Sequence, residues 1–214
     1  MLGILGVGHQ GQKFIRTCEK LKIPISWTAN EPRFDADCLI IATPAETHYE
    51  LSKQALRMGR HVIIEKPMVM DRAEAEDLYD LARQKNVSGF VDHTHLYSPA
   101  WREIKSKVGA VKSIQSKSGG PCKAAPLWDW GSHDIAMRLD LVGDKPVNHV
   151  IYLHKERVKR EFRIEADNGV FIYDDPKTDP QPLEVLMTEF MDSLNNPNQD
   201  GIRMGLEVCK VLCG

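Results

Sequence analysis

With 214 residues, 42% of them hydrophobic and 27% charged, the chain has a globular composition with room for one large or two small cores, which excludes disordered and fibrous architectures. Lys plus Arg at 28 against Asp plus Glu at 30 leaves a formal net charge of -2, without the basic excess that nucleic-acid or anionic-membrane partners require. The opening MLGILGVGHQG enters a strand and a glycine turn at once, with no basic leader or membrane-length apolar run, so a cytoplasmic location and no membrane partner are expected.

Residues 2–7 are a short apolar run that leads into Gly6-Val7-Gly8-His9-Gln10-Gly11, after which Phe14, Ile15, Cys18 and Leu21 recur at helical spacing. This reads as strand, turn and helix. Residues 23–29 supply a second strand, and DCLIIA at residues 37–42 a third, suited to burial on both faces of a parallel sheet. Only residues 30–36 separate these two strands, whereas a parallel crossover with its helix needs at least about 10 to 12 residues, so one crossover helix is missing. An extended segment of that length reaches about 23 Å, enough to run back along one strand and sideways to a neighbour. Thr47 and Glu50 match a capping box, Leu51, Ala55 and Leu56 form an apolar stripe, and Gly59 supplies a stop, predicting a helix from about His48 to Met58. Residues 61–65 are the next strand, Asp71 caps a helix carrying Leu78, Leu81 and Ala82, and residues 88–91 return to strand.

The alternation changes near Asp92. Residues 108–117, 148–155, 160–166 and 169–173 have strand-like patterning and imply an open antiparallel sheet, with Asp167-Asn168-Gly169 predicting a hairpin between the last two. Helices are predicted at about Ser132–Val142, Leu183–Asn195 and Ile202–Leu212, and the Pro- and Asp-rich residues 174–182 read as a connecting loop. The expected fold class is therefore α/β plus α+β, divided into domains at residues 1–92 and 93–214.

Gly6, Gly8 and Gly11 fit a G-x-G-x-x-G turn, in which absent side chains let the backbone approach a pyrophosphate at the positive end of a helix. The strand before it and the amphipathic helix after it raise dinucleotide binding above a mere tight turn. Glu31 lies about 20 residues beyond Gly11, where an acidic side chain holds the adenosine ribose, which favours NAD; Arg33 in the same stretch offers a partner for a 2′-phosphate, so NADP stays open.

Glu65-Lys66-Pro67 ends a strand of the α/β half, on the edge where open α/β sheets bind ligands. A lysine there can hydrogen-bond a substrate hydroxyl and assist proton transfer, against the plainer reading of a surface lysine. Trp128-Asp129-Trp130-Gly131-Ser132-His133-Asp134 precedes an apolar helix. His133 suits a general base near neutral pH with Asp129 orienting it, against the alternative of simple helix capping. Trp130 is a candidate to line a sugar-like substrate cleft. His93 and His95 have the spacing of a two-histidine pair but no nearby Cys or acidic partner, so no metal is expected. Cys18, Cys38, Cys122, Cys209 and Cys213 form no C-x-x-C pair and read as reduced thiols.

Three segments together, GVGHQG at residues 6–11, ATPAETHYELSKQALRMGRHVIIEKP at 42–67 and DWGSHD at 129–134, resemble the Gfo/Idh/MocA dehydrogenase family, of which the chain looks like a shortened member. The resemblance implies an N-terminal Rossmann domain followed by a reduced open-sheet domain that binds substrate and assembles a homo-oligomer through its open face. It implies cofactor contacts from the turn residues Gly6, Gly8, His9, Gln10 and Gly11, from Glu31, from Thr43 and Pro44, and from Glu65 and Lys66. Lys66 matches the family's EKP lysine, and Asp129 and His133 its D-x-x-x-H pair, making these three the expected catalytic residues; Lys66, Trp130 and His133 are the expected substrate contacts. Many relatives carry a further Asp three residues after the histidine, where this chain has Ala136. The implied activity is NAD(P)-dependent hydride transfer to or from a secondary alcohol or ketone of a sugar, cyclitol or nucleotide sugar. A dinucleotide-binding protein of weak or no turnover, with a binding or assembly role, is the alternative that the missing crossover helix suggests.

Overall fold

A computed structural model of the chain describes residues 1–121 and 125–214, so Cys122 lies outside the described residues. Its contacts divide it into two compact units, Met1–Asp92 with Leu183–Gly214, and His93–Pro182.

The first unit begins with β1 (Leu2–Leu5), α1 (His9–Leu21), β2 (Ile25–Ala29), β3 (Cys38–Ile41), α2 (His48–Arg57), β4 (His61–Ile64), α3 (Arg72–Lys85) and β5 (Gly89–Val91). The strands pair in parallel in the order β2-β1-β3-β4-β5. Every residue of β1 and β3 is buried, which is why both read as unbroken apolar runs. Asp71 caps α3 as expected, accepting from the Glu74 N–H at 3.0 Å. The capping box at α2 does not form. Thr47 ends a 3-10 turn at Ala45–Thr47, and its hydroxyl is spent on the Pro44 carbonyl at 2.7 Å instead of the helix N-terminus.

Residues 30–36 contain no helix. They strap back to the amino end of β1, where Asp37 and Cys38 N–H groups donate to the Met1 carbonyl at 3.0 and 3.1 Å before β3 begins. A short stack covers the place a crossover helix would occupy. The Trp27 indole lies across Gly3, the Arg33 guanidinium sits 5.0 Å from the Trp27 ring centroid, and Arg33 pairs with Asp35 through two bonds of 2.6 and 2.7 Å.

The second unit contains α4 (Pro99–Lys107), β6 (Val111–Gly119), α5 (Ser132–Val142), β7 (Asn148–His154), β8 (Glu161–Ala166) and β9 (Gly169–Tyr173). Its sheet runs β7-β6-β8-β9. The β8–β9 hairpin forms where expected, with Gly169 at φ +144°. The sheet is mixed, however, and not antiparallel throughout. β6 and β7 pair in parallel because α5 lies between them in the chain, and a helical crossover returns the next strand in the same direction. One face packs Trp101, Ile114, Met137, Phe162, Ile164 and Tyr173 into a core. The other leaves Val150, Tyr152, Val170 and Ile172 exposed on the outer strands, flanking Gln115, Lys117 and Arg163.

α6 (Pro182–Asp192) and α7 (Asp200–Cys213) follow. The expected boundary at Asp92 coincides with a unit boundary, but these helices join the first unit instead of extending the second. They complete the β5 edge: Gly89 N–H donates to Asn198 O at 3.0 Å, Phe190 meets Phe90 edge-to-face at 5.5 Å, and Gly201 and Gly205 let α7 lie directly on Phe90 and Val91. Among the described residues no helix is long and apolar enough to cross a membrane.

Candidate active site

The carboxyl ends of β1, β3, β4 and β5 converge on one edge of the first sheet, the edge where parallel α/β sheets hold ligands. At β1, Gly6 adopts φ +90° and donates its N–H to Ala29 O at 2.8 Å; a side chain there would run into the Ala42 backbone. Gly11 abuts the Gly6 carbonyl so closely that α1 can approach β1 only without a Cβ. Gly8 differs from both. It is extended, caps α1 without a side-chain hydrogen bond, and among the described residues a Cβ on it would meet nothing within 4 Å. The first turn of α1 carries no acidic side chain, so its amide ends and its dipole are left for an outside anion. This is the geometry a pyrophosphate fits.

Asn30 Oδ1, at the end of β2, accepts from the Val7 N–H at 3.2 Å and steadies the turn. Glu31 beside it is exposed. His9 is exposed on the first turn of α1, whereas Gln10 points inward and donates to Glu65 Oε1 at 2.9 Å. The other Glu65 oxygen accepts from the Lys66 N–H at 3.0 Å. Burial first, then the neighbouring Asp92 carboxylate, push the Glu65 carboxyl well above the usual carboxylate range. Asp92 follows β5, is buried, and has one oxygen, Oδ1, with no hydrogen-bond partner among the described residues. Thr43 and Pro44 follow β3. The buried His48 ring joins this segment to the EKP segment, with Nε2 2.9 Å from Thr43 O and Nδ1 2.8 Å from Pro67 O. Burial lowers its proton affinity against the pull of the two carbonyls. The structure thus gathers Gly6, Gly8, Gln10, Gly11, Thr43, Pro44, Glu65 and Lys66 on this edge.

In the second unit, residues Leu127–Gly131 form a π turn that runs into α5, carrying Asp129, Trp130 and then His133. Such wide turns interrupt a helix at a cost and are common at functional sites. The segment is anchored from beneath. Asp134 is fully buried, ion-paired with Arg160, and accepts from the Ser118 hydroxyl at 2.7 Å. Arg160 also donates to the Trp130 carbonyl at 3.4 Å. Burial pushes the Asp134 carboxyl up while Arg160 and Ser118 pull it down. The Trp130 indole N–H donates to Gly120 O at 3.2 Å. Trp101 is core, with its N–H on Asp140 at 2.8 Å.

His95 stands edge-to-face against His133, ring centroids 4.9 Å apart, and also contacts Tyr173 and Asp175. Among the described residues no cluster of three or more His, Cys, Asp or Glu has metal-holding geometry. Sequence reasoning missed His48, Asp92, Tyr173 and Asp175, and weighed His95 only as a metal ligand. A polar residue directly after an apolar strand run marks Asp92; the others carry no local signal. A surface hollow of about 570 Å³ lined by Tyr79, Arg83, Phe90 and Asn198 sits by β5. It borders the amino end of that strand, away from the ligand edge, and plays no part in this site.

Residues 3–93 match the family described as "Oxidoreductase family, NAD-binding Rossmann fold". The chain is 28% identical over 120 residues to UDP-N-acetylglucosamine 3-dehydrogenase of Acidithiobacillus ferrooxidans, covering 53% of this chain and 38% of that protein. It spans between 20% and 46% of the length of the first curated relatives it matches. Among solved structures, a chain from Magnetospirillum magnetotacticum aligns with TM-score 0.86 at 24% identity, covering 99% of this chain and 98% of that one. GenD2 from gentamicin A biosynthesis, solved in complex with NAD, aligns with TM-score 0.78 at 13% identity, covering 99% and 91%. These likenesses show a shared fold. Residues 3–93 are thus similar to the NAD-binding Rossmann domain of the Gfo/Idh/MocA oxidoreductases.

Proposed function

We propose that the chain is an NAD(P)-dependent oxidoreductase interconverting a secondary alcohol and a ketone on a sugar, cyclitol or nucleotide sugar. The observation that carries this reading is the open space over Gly8 at an uncapped helix N-terminus, on the same sheet edge as Lys66. Relatives named as acting on such substrates include UDP-N-acetylglucosamine 3-dehydrogenase and a scyllo-inositol dehydrogenase from Lactobacillus casei.

In this reading Gly6, Gly8, His9, Gln10 and Gly11 bind the pyrophosphate, Glu31 the adenosine ribose, and Thr43, Pro44, Glu65 and Lys66 the nicotinamide half. The bound dinucleotide supplies the hydride acceptor or donor. In the oxidative direction the carbinol C–H bond gives up a hydride, the hydroxyl proton passes to His133, and the O–H bonding pair becomes the C=O π bond. Lys66 hydrogen-bonds the same oxygen, Asp129 orients His133, and Trp130 lines the sugar. Reduction runs the same steps backwards.

NAD is the preferred form, because Arg33 is already held by Asp35 and Glu31 repels a 2′-phosphate. Tighter NADPH than NADH binding in a fluorescence titration overturns that preference. A homo-oligomer forms on the open face of the second sheet through Val150, Tyr152, Val170 and Ile172, checked by sedimentation of wild type against Tyr152→Glu. Buried, hard-to-ionise thiols at Cys18, Cys38 and Cys209 suit a reducing, cytoplasmic location, which cell fractionation checks.

The test of the reaction is a polyol and ketosugar screen with both cofactors, followed by Lys66→Met and His133→Ala on the best substrate. Cofactor affinity should hold while kcat falls by about 10² to 10⁴. Wild-type turnover in both variants overturns the assignment. The stripped adenosine edge favours the second reading, a dinucleotide binder without turnover, which tight NAD(H) binding with no product across the screen would establish.

A further inference from the structure

His133 is not held by its own helix alone. His95, from the 3-10 turn Thr94–Tyr97, sets its ring perpendicular to that of His133, with centroids 4.9 Å apart and planes at 85°. His93 approaches the same ring at 6.1 Å and 85°. His95 Nδ1 lies 3.0 Å from the Tyr173 hydroxyl and 3.4 Å from Asp175 Oδ1. The Tyr173 hydroxyl donates to that same carboxylate oxygen at 3.2 Å.

Tyrosine has one hydroxyl proton. With that proton directed to Asp175, the Tyr173 oxygen accepts, so His95 Nδ1 must be the N–H donor and the neutral ring presents an unprotonated Nε2. Asp175 itself sits at φ +53°, in the left-handed region that Asp enters more readily than most residues.

We propose that His95, Tyr173 and Asp175 are positioning residues that act on His133, fixing the orientation of its ring and the pH at which it gains a proton. This rests on the proton role given to His133 above. The charged groups facing His95 come from several elements: Asp175 after β9, Arg160 before β8, and Asp134 on α5 beside His133. Burial and the Arg160 cation keep His95 below the usual histidine range against the pull of Asp175 and Asp134, and the His95 hydrogen bond holds Asp175 below the usual carboxylate range. A neutral His95 places no positive charge against His133, while the Asp175 carboxylate behind it favours an imidazolium when His133 takes up a proton.

The experiment is a histidine ring titration by NMR on the whole chain, with His95 and His133 signals assigned through His95→Gln and His133→Gln. Wild-type His95 should show the Nδ1–H tautomer in its long-range 15N pattern. Asp175→Asn, close to isosteric, should lower the His133 midpoint by about half a pH unit, and Tyr173→Phe, which keeps the buried ring, should release the His95 tautomer. An Nε2–H tautomer in wild type, or an unmoved His133 midpoint in both folded variants, overturns the proposal. If instead the shifts appear but His133→Ala turns over substrate at the wild-type rate, the positioning stands and the acid–base role of His133 falls.

Discussion

The Gln10 side-chain amide donates to the Glu65 carboxyl at 2.9 Å, so the helix that opens at the glycine turn is tied to the strand end that carries Lys66. Glu65 is buried beside Asp92 and holds its proton far above the ordinary glutamate value of 4.5. The folded chain therefore keeps a proton that the unfolded chain has lost, and stability falls as pH rises from about that value toward the folded one. Glu65→Gln, which cannot ionise, should flatten this decline, as urea unfolding from pH 5 to 9 would show. An equally steep decline in the variant counts against a protonated Glu65.

Gly8 and Gly11 should separate binding from folding. Gly8→Val places its side chain in open space and should leave stability within about 0.5 kcal/mol of wild type while cutting NADH affinity at least about tenfold. Gly11→Ala drives a methyl group into the Gly6 carbonyl and should lower the melting temperature first. Equal NADH affinity in folded Gly8→Val and wild type rejects the pyrophosphate site.

Acid should weaken the fold through His149. Its Nε2 lies 3.0 Å from the Ser116 hydroxyl, and burial, with the Arg138 cation adding to it, pushes it from 6.5 down to about 4. The unfolded chain takes up a proton there before the folded one does, so this contribution is complete above pH 6.5 and is lost as pH falls toward 4. The loss is at most about 3 kcal/mol, and His149→Gln should remove it from a pH series of denaturation curves.

Arg160→Met should be among the most damaging substitutions in the second unit. It strips the fully buried Asp134 carboxylate of its cation and leaves it to serine hydroxyls, and breaking one side of a buried pair costs about 3 to 5 kcal/mol. Asp134→Asn combined with Arg160→Met should recover part of that loss in thermal unfolding, because no charge is then stranded.

Most of the first sheet was legible because its signals are local. β1, the glycine turn and α1 announce themselves within about twenty residues, DCLIIA reads as a doubly buried strand, and the shortness of residues 30–36 already excludes a crossover helix. What replaces that helix was not legible. Nothing in the sequence joins Trp27, Arg33 and Asp35 to one another until Gly3 is seen beneath the indole. The direction of β7 was misread because patterning reports which face is buried and says nothing of chain direction. α4 went unassigned: its nine residues expose most of their polar side chains and bury only Trp101 fully, too short a stripe to show helical period. Lys66, Asp129 and His133 stood out by resemblance, whereas His95, Tyr173 and Asp175 meet across about 80 residues of chain, a convergence that no spacing rule detects.

α6 and α7 close the β5 edge from the opposite end of the sequence, and that has a consequence for synthesis. Residues 88–91 leave the ribosome long before residues 183–214, so a growing chain carries β5 with Phe90 uncovered and its Gly89 N–H unanswered throughout the time that the second unit is being made. The second unit has all of its own strands by Tyr173 and can settle first. The first unit is complete only once α7 has been made, and a nascent polypeptide stalled short of α7 should be handed to chaperones with its β5 edge still open.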